Sequence, residues 1–176
     1  AGEGITALAF GGSPTLLLAC AAADGTVALY DAAAAQLLAA LPHPKPVGAV
    51  AMCPGRSRLL ATACDDGKLR LWPTVGGAAK PKGGGGRGGR RAAATVAVCE
   101  RPLRCAAWHA DGANLAAAGF DAVVYLYEAP DADRVTARGA LRGHRAAVRA
   151  LAWSPSAAKY LASGSLDGEL RIWDTH

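Results

Sequence analysis

His144, Ser163 and Asp167 carry the residue types of a hydrolase triad: a base, a hydroxyl nucleophile and an orienting carboxylate. The same types recur upstream as His43, Thr62 and Asp66, at the same intervals (163 − 144 = 62 − 43 = 19; 167 − 163 = 66 − 62 = 4). A catalytic constellation is built once, whereas a set copied along the chain belongs to its architecture. The repetition therefore argues for a structural role and against catalysis. Other chemistry is sparse. His109, in WHADG, reads as a solvated turn and His176 is terminal. Gly83, Gly85 and Gly88 satisfy the spacing GxGxxG, but no strand leads into them and no helix follows, as a dinucleotide site requires. No HExxH, GxSxG or phosphate-loop Lys-Ser/Thr occurs. Cys20, Cys53, Cys64, Cys99 and Cys105 form no CxxC pair, and the odd count reads as reduced thiols. The chain is expected to be no enzyme and to need no cofactor or metal.

The elements around these residues are short strands. From Leu141 to Asp174, apolar residues alternate with polar ones in three runs, with Asp167-Gly168 as the last tight turn. Taking that aspartate as an anchor, Trp173 lies six residues after it and Ser163 four before. The same offsets give Trp72 and Thr62 around Asp66, Tyr30 and Cys20 around Asp24, and Tyr127 and Ala117 around Asp121. Four copies result, spaced 42, 55 and 46 residues apart (66 − 24, 121 − 66, 167 − 121). Each predicts three strands, with a fourth before the next copy. Residues 36–41 fill that fourth place in the first copy and 95–99 in the second. The run Ala32 to Ala40 also has high helix propensity, so a helix competes with the strand there.

A Gly143-His144 opening and a Trp173-Asp174 ending about 30 residues later resemble one repeat of the WD40 family. The resemblance implies an all-β fold of WD40-type propeller blades, four of them, at about 1–42, 43–98, 99–142 and 143–176. It also implies a hydrogen-bonded chain in each blade through its His, Ser or Thr, Asp and Trp. Two copies hold the full set: His43, Thr62, Asp66, Trp72 and His144, Ser163, Asp167, Trp173. The third has Cys99, Ala117 and Tyr127 at three of those positions, and the first has Cys20 and Tyr30, so Asp24 and Asp121 are expected to cap their own turns.

The family's function is to hold protein partners, which implies a non-enzymatic scaffold in a multi-protein assembly. Its rim would carry the residue before each turn aspartate and the strand entrances. Asp65, Arg104, Phe120, Arg149 and Leu166 are the candidate partner-binding residues, an aromatic, aliphatic and arginine set of the kind found at interface hot spots. Packing of Phe120 and Leu166 on neighbouring turns is the structural alternative. The long middle interval holds a Gly/Arg-rich insertion, 75–94, with Lys80, Lys82, Arg87, Arg90 and Arg91 and no acid. It reads as a flexible loop. Two further readings use it: RNA association, which would be strongly salt-dependent, and a microtubule or cilium role in which acidic tubulin tails meet the basic loop.

The 176 residues are 52% hydrophobic and 19% charged, with a formal charge of +5, which favours an acidic partner only weakly. No secretory leader is visible, and the apolar stretch 5–23 is broken by Gly11-Gly12-Ser13-Pro14, so no membrane partner is expected. Reduced thiols point to the cytoplasm, with nuclear or cytoskeletal sites also open. Four blades leave apolar end faces. A piece of a larger propeller is the first expectation, and pairing of two arcs into an eight-blade ring the second. A closed four-blade ring is the third. A stable isolated monomer is not expected.

Overall fold

The computed structural model describes residues 4–11, 15–55, 59–74, 91–155 and 159–175. Their regular structure is all β: four antiparallel sheets that form propeller blades. The first sheet is β1 (Ile5–Gly11), β2 (Leu17–Ala22), β3 (Thr26–Asp31) and β4 (Gln36–Pro42). The second is β5 (Val47–Met52), β6 (Leu59–Cys64), β7 (Lys68–Pro73) and β8 (Ala94–Ala97). The third is β9 (Leu103–Trp108), β10 (Asn114–Gly119), β11 (Val123–Asp131) and β12 (Arg134–Arg142). The fourth has three strands among the described residues, β13 (Val148–Trp153), β14 (Tyr160–Ser165) and β15 (Leu170–Asp174). In every blade the strands lie in chain order, so each connection is a hairpin and all pairing within a blade is local.

The hairpin between the second and third strands is built the same way four times. The turn aspartate accepts the backbone N–H two residues on: Asp24 from Thr26 (2.7 Å), Asp66 from Lys68 (3.1 Å), Asp121 from Val123 (3.3 Å) and Asp167 from Glu169 (2.8 Å). The residue between must take positive φ, and Gly67 does so at 75°. The third blade holds Ala122 in that place at φ 63°, a conformation that costs an L-residue about 1–2 kcal/mol.

The alanine-rich run resolves as a strand. β4 pairs with β3, Ala28 opposite Ala40 and Thr26 opposite Pro42. The competing helix is stopped by Asp31, whose carboxylate accepts the N–H groups of Ala33 and Ala34 and holds them in a turn. The second blade's outer strand runs over Ala94–Ala97, not 95–99. Val98 and Cys99 leave the ladder because their N–H groups bond the carbonyl of Gly67.

Apolar residues fill the seams between blades. Leu17, Val27 and Leu29 of the first sheet meet Val50, Leu60 and Trp72 of the second. Leu59, Leu69 and Leu71 of the second pack with Leu103, Trp108 and Leu115 of the third. Much of the alanine sits at the buried centre of the second strands (Ala19, Ala21, Ala61, Ala63, Ala117), where small side chains let neighbouring sheets close on each other.

The inner strands are also joined by hydrogen bonds. Trp108 Nε1–H donates to the carbonyl of Ala51 (3.1 Å), and Trp153 Nε1–H donates to that of Ala107 (2.9 Å). Each donor is the sixth residue of its strand, and each acceptor the fifth of the preceding blade's inner strand. The sixth residue of β1 is Phe10, which has no such donor.

Candidate partner-binding rim

The repeated triad is a packing device. In the fourth blade Trp173 Nε1–H donates to Ser163 Oγ (2.8 Å), which lies 2.7 Å from His144 Nε2, and His144 Nδ1 lies 2.9 Å from Asp167 Oδ2. A carboxylate accepts only, so Nδ1 carries a proton, and in the neutral ring Nε2 accepts from Ser163. The hydroxyl of Ser163 is thus engaged at both ends, and its residue is buried. Burial pushes the Asp167 carboxyl up, but the N–H groups of Arg145 and Glu169 and the His144 ring hold it well below the usual carboxylate range. His144, Asp167 and Glu169 offer ligand atoms within 4.8 Å of one another, as a metal site would. Their lone pairs are already committed, those of Asp167 to three N–H donors and those of Glu169 to Arg145 and Arg171.

The second blade departs from the expected full set. Trp72 donates to Thr62 Oγ1 (3.0 Å) and Thr62 bonds His43 Nε2 (2.8 Å), but His43 Nδ1 bonds the carbonyl of Leu41 (3.0 Å) and not Asp66. Asp66 instead takes a two-point ion pair from Arg70. The residue four beyond the turn aspartate decides the outcome. Arg70 stands there in the second blade and Tyr125 in the third, where its hydroxyl donates to Asp121 (2.7 Å). Arg171 stands there in the fourth, but Glu169 draws it away (2.6 Å) and leaves Asp167 for His144. The second blade has Lys68 in place of Glu169. Burial of His43, with the Arg70 charge beside it, lowers its pKa, so the neutral ring that this chain of bonds needs is the form favoured.

In the first and third blades the aspartates hold their own turns, and the remaining positions are apolar or thiol. Tyr127 is buried in the core, and Cys99 Sγ–H donates to the carbonyl of Arg101. Asp167→Ala strands three donors, whereas Asp121→Ala strands one backbone N–H and one tyrosine hydroxyl at the edge of solvent. The urea midpoint is therefore expected to fall further for Asp167→Ala. Equal falls would mean that the His144 chain contributes nothing.

Three of the five rim candidates come together. Arg104 Nη2 pairs with Asp65 Oδ2 at 2.8 Å, a bond from the third blade to the second, and its guanidinium lies 5.2 Å from the Phe120 ring centre. Arg104 is thus tied to a neighbouring blade and is not a free side chain. Yet Asp65 Oδ1 and Arg104 Nε have no hydrogen-bond partner among the described residues. Phe120 is 44% exposed. Arg149 and Leu166 lie exposed on the fourth blade, and no hydrogen bond, ion pair or ring contact among the described residues joins them to the set. Of the basic insertion, Lys80, Lys82, Arg87 and Arg90 lie outside the described residues, and Arg91 is exposed just before β8. His109 is not a solvated turn residue. It is buried, its Nδ1 lies 3.0 Å from Asp111 Oδ2, and its ring packs edge-on against Trp153 at 5.2 Å. Asp111 is lowered to about 2: burial pushes it up, but the N–H groups of Ala113 and Asn114 outweigh that.

The family model described as "WD domain, G-beta repeat" matches residues 1–31, 35–73, 95–128 and 136–174. The chain belongs to the WD40 family. Among curated WD40 relatives, "Cell division cycle 20.6, cofactor of APC complex" of Arabidopsis thaliana is 40% identical over 74 residues, 39% of this chain and 17% of that protein. "WD repeat-containing protein 1" of Xenopus tropicalis is 32% identical over 80 residues, 46% of this chain and 13% of that protein. The matched part of this WD40 chain thus spans under a fifth of either relative. Two solved structures share the fold. A chain of the "Mitotic Checkpoint Complex" superposes with a TM-score of 0.77 at 21% identity, over 97% of this chain and 49% of that one. The "computationally designed Ika4 protein" gives 0.74 at 19% identity, over 99% and 92%. WD40 repeats with these relatives support a protein-interaction scaffold.

Proposed function

We propose that this chain holds a peptide segment of a protein partner against the rim of its second and third blades, as part of a multi-protein assembly in the cytoplasm. The observation that carries the reading is the cluster of Asp65, Arg104 and Phe120. An exposed aromatic ring lies under a guanidinium that pairs with Asp65 across the seam of the two blades. Aromatic and arginine side chains in one cluster are also what dominates binding energy at interfaces. Arg149 and Leu166 extend the same rim over the fourth blade. The five free cysteines suit a reducing compartment. RNA and tubulin-tail readings depend on the Gly/Arg insertion, and no observation favours them.

The test is a peptide-display selection on the immobilised chain, followed by titration of the selected peptides. Phe120→Ala and Arg104→Ala are expected to weaken binding at least tenfold, which is about 1.4 kcal/mol. Thr136→Ala, on the outer strand β12, is expected to leave affinity unchanged. Binding within twofold of wild type for both rim variants would overturn this site.

A further inference from the structure

The four inner strands share one irregularity. In each, the pairing with the second strand slips at the second residue, which is Thr6, Gly48, Arg104 or Arg149. The slip is a bulge, and a bulge re-aims its side chain out of the ladder. Thr6 Oγ1–H donates to the carbonyl of Val47 (2.6 Å), and Gly48 has no side chain to aim. Arg104 reaches back to Asp65 in the preceding blade (2.8 Å). The residue before each turn aspartate is itself held the same way from blade to blade. Its N–H donates to the carbonyl just ahead of the inner strand: Asp65 to Pro46 (2.9 Å), Phe120 to Pro102 (3.0 Å) and Leu166 to Ala147 (2.9 Å). Asp65 and Phe120 are therefore equivalent positions, as are Arg104 and Arg149.

The rule that joins Arg104 to Asp65 thus sets Arg149 against Phe120 at the next seam, which is internal to the chain. Phe120 has no acceptor, and its ring faces Arg104 of its own blade. Arg149 is exposed and makes no hydrogen bond or ion pair among the described residues. The nearby turn acids are engaged elsewhere: Asp121 with Tyr125, Asp167 with His144, and Glu169 with Arg145 and Arg171. We propose, resting on the peptide reading above, that the bound segment presents an aspartate or glutamate to Arg149, next to an apolar side chain that packs on Phe120. The partner's carboxylate then does between the third and fourth blades what Asp65 does between the second and third. A guanidinium takes a carboxylate through two parallel N–H bonds, which fixes orientation as well as adding affinity. In open solvent such a pair is worth little; beneath a bound peptide, with water shut out, it is worth more and sets the register of the segment.

The test extends the display selection on the 176-residue chain. The recovered peptides are expected to carry Asp or Glu at one fixed place, beside an apolar residue. Changing that acid to its amide is expected to weaken binding to the wild-type chain about fivefold or more, and binding to Arg149→Gln less than twofold, since a directly paired group cannot be lost twice. Arg149→Glu is expected to prefer the same peptides with lysine in place of the acid. Arg134→Gln removes an equal charge from the exposed start of β12 and is expected to change nothing. Peptides that bind through Phe120 but carry no acid would overturn this inference and leave the rim site standing. So would an acid whose loss costs the same on Arg149→Gln as on wild type. A selection that returns no peptide sensitive to Phe120→Ala would remove the site and this inference together.

Discussion

Gly67→Ala is expected to destabilise the protein by about 3 kcal/mol or more, seen as a fall in the urea midpoint with an unchanged slope. Two costs add. The residue sits at φ 75°, which costs a side chain about 1–2 kcal/mol. A Cβ there would stand 1.9 Å from the carbonyl oxygen of Cys99 and 3.2 Å from that of Arg101, both main chain. That main chain cannot retreat cheaply, because Val98 and Cys99 both donate to the Gly67 carbonyl. Gly168 is the internal control. It occupies the same turn position at φ 82°, but nothing lies within 4 Å of its added Cβ. Gly168→Ala should therefore show only the conformational cost. If the two variants lose the same stability, the close packing of the second turn against the 98–101 segment is unimportant.

Trp72→Ala should cost about 3–5 kcal/mol, the range for removing a large buried aromatic. The indole is 3% exposed in the seam between the first two blades and ends the chain of bonds through Thr62 to His43. Its loss opens a cavity and leaves the threonine hydroxyl one donor short. Against a total stability of about 5–15 kcal/mol for a domain, such a loss approaches unfolding. Tyr30→Ala, at the same offset in the first blade but on its uncovered face, should cost well under half as much. Thermal unfolding of the two variants side by side reads the difference. Similar losses would show that the exposed end face is as well packed as the internal seam.

The fold was legible because a turn aspartate with fixed offsets marks a blade wherever its neighbours have drifted. Asp24 and Asp121 found their strands although Cys20, Tyr30, Ala117 and Tyr127 replaced the usual residues. The strand at 36–42 was decided by position, since AAAAQLLAA alone suits a helix equally well. The hydrogen-bond chains were legible in residue type but not in wiring. Whether an aspartate reaches its histidine depends on charges two and four residues further along a strand, Lys68 and Arg70 against Glu169 and Arg171. That signal was present and is local. The Asp65–Arg104 pair joins residues 39 apart in different blades, and the Trp108 and Trp153 bonds end on main-chain carbonyls. A carbonyl carries no residue identity, so no reading of side chains could have named those acceptors.

The four tryptophans divide the molecule's joints among themselves. Trp72 lies in the first seam, Trp108 in the second, and Trp153 and Trp173 both in the third. The protein thus carries a native fluorophore at each junction, with two at the third. Emission from single-tryptophan versions would follow the separation of individual blades, where backbone spectroscopy registers only the sum. A solution change that quenches Trp173 and spares Trp108 would be read as an event at the joint between the third and fourth blades, without any label attached.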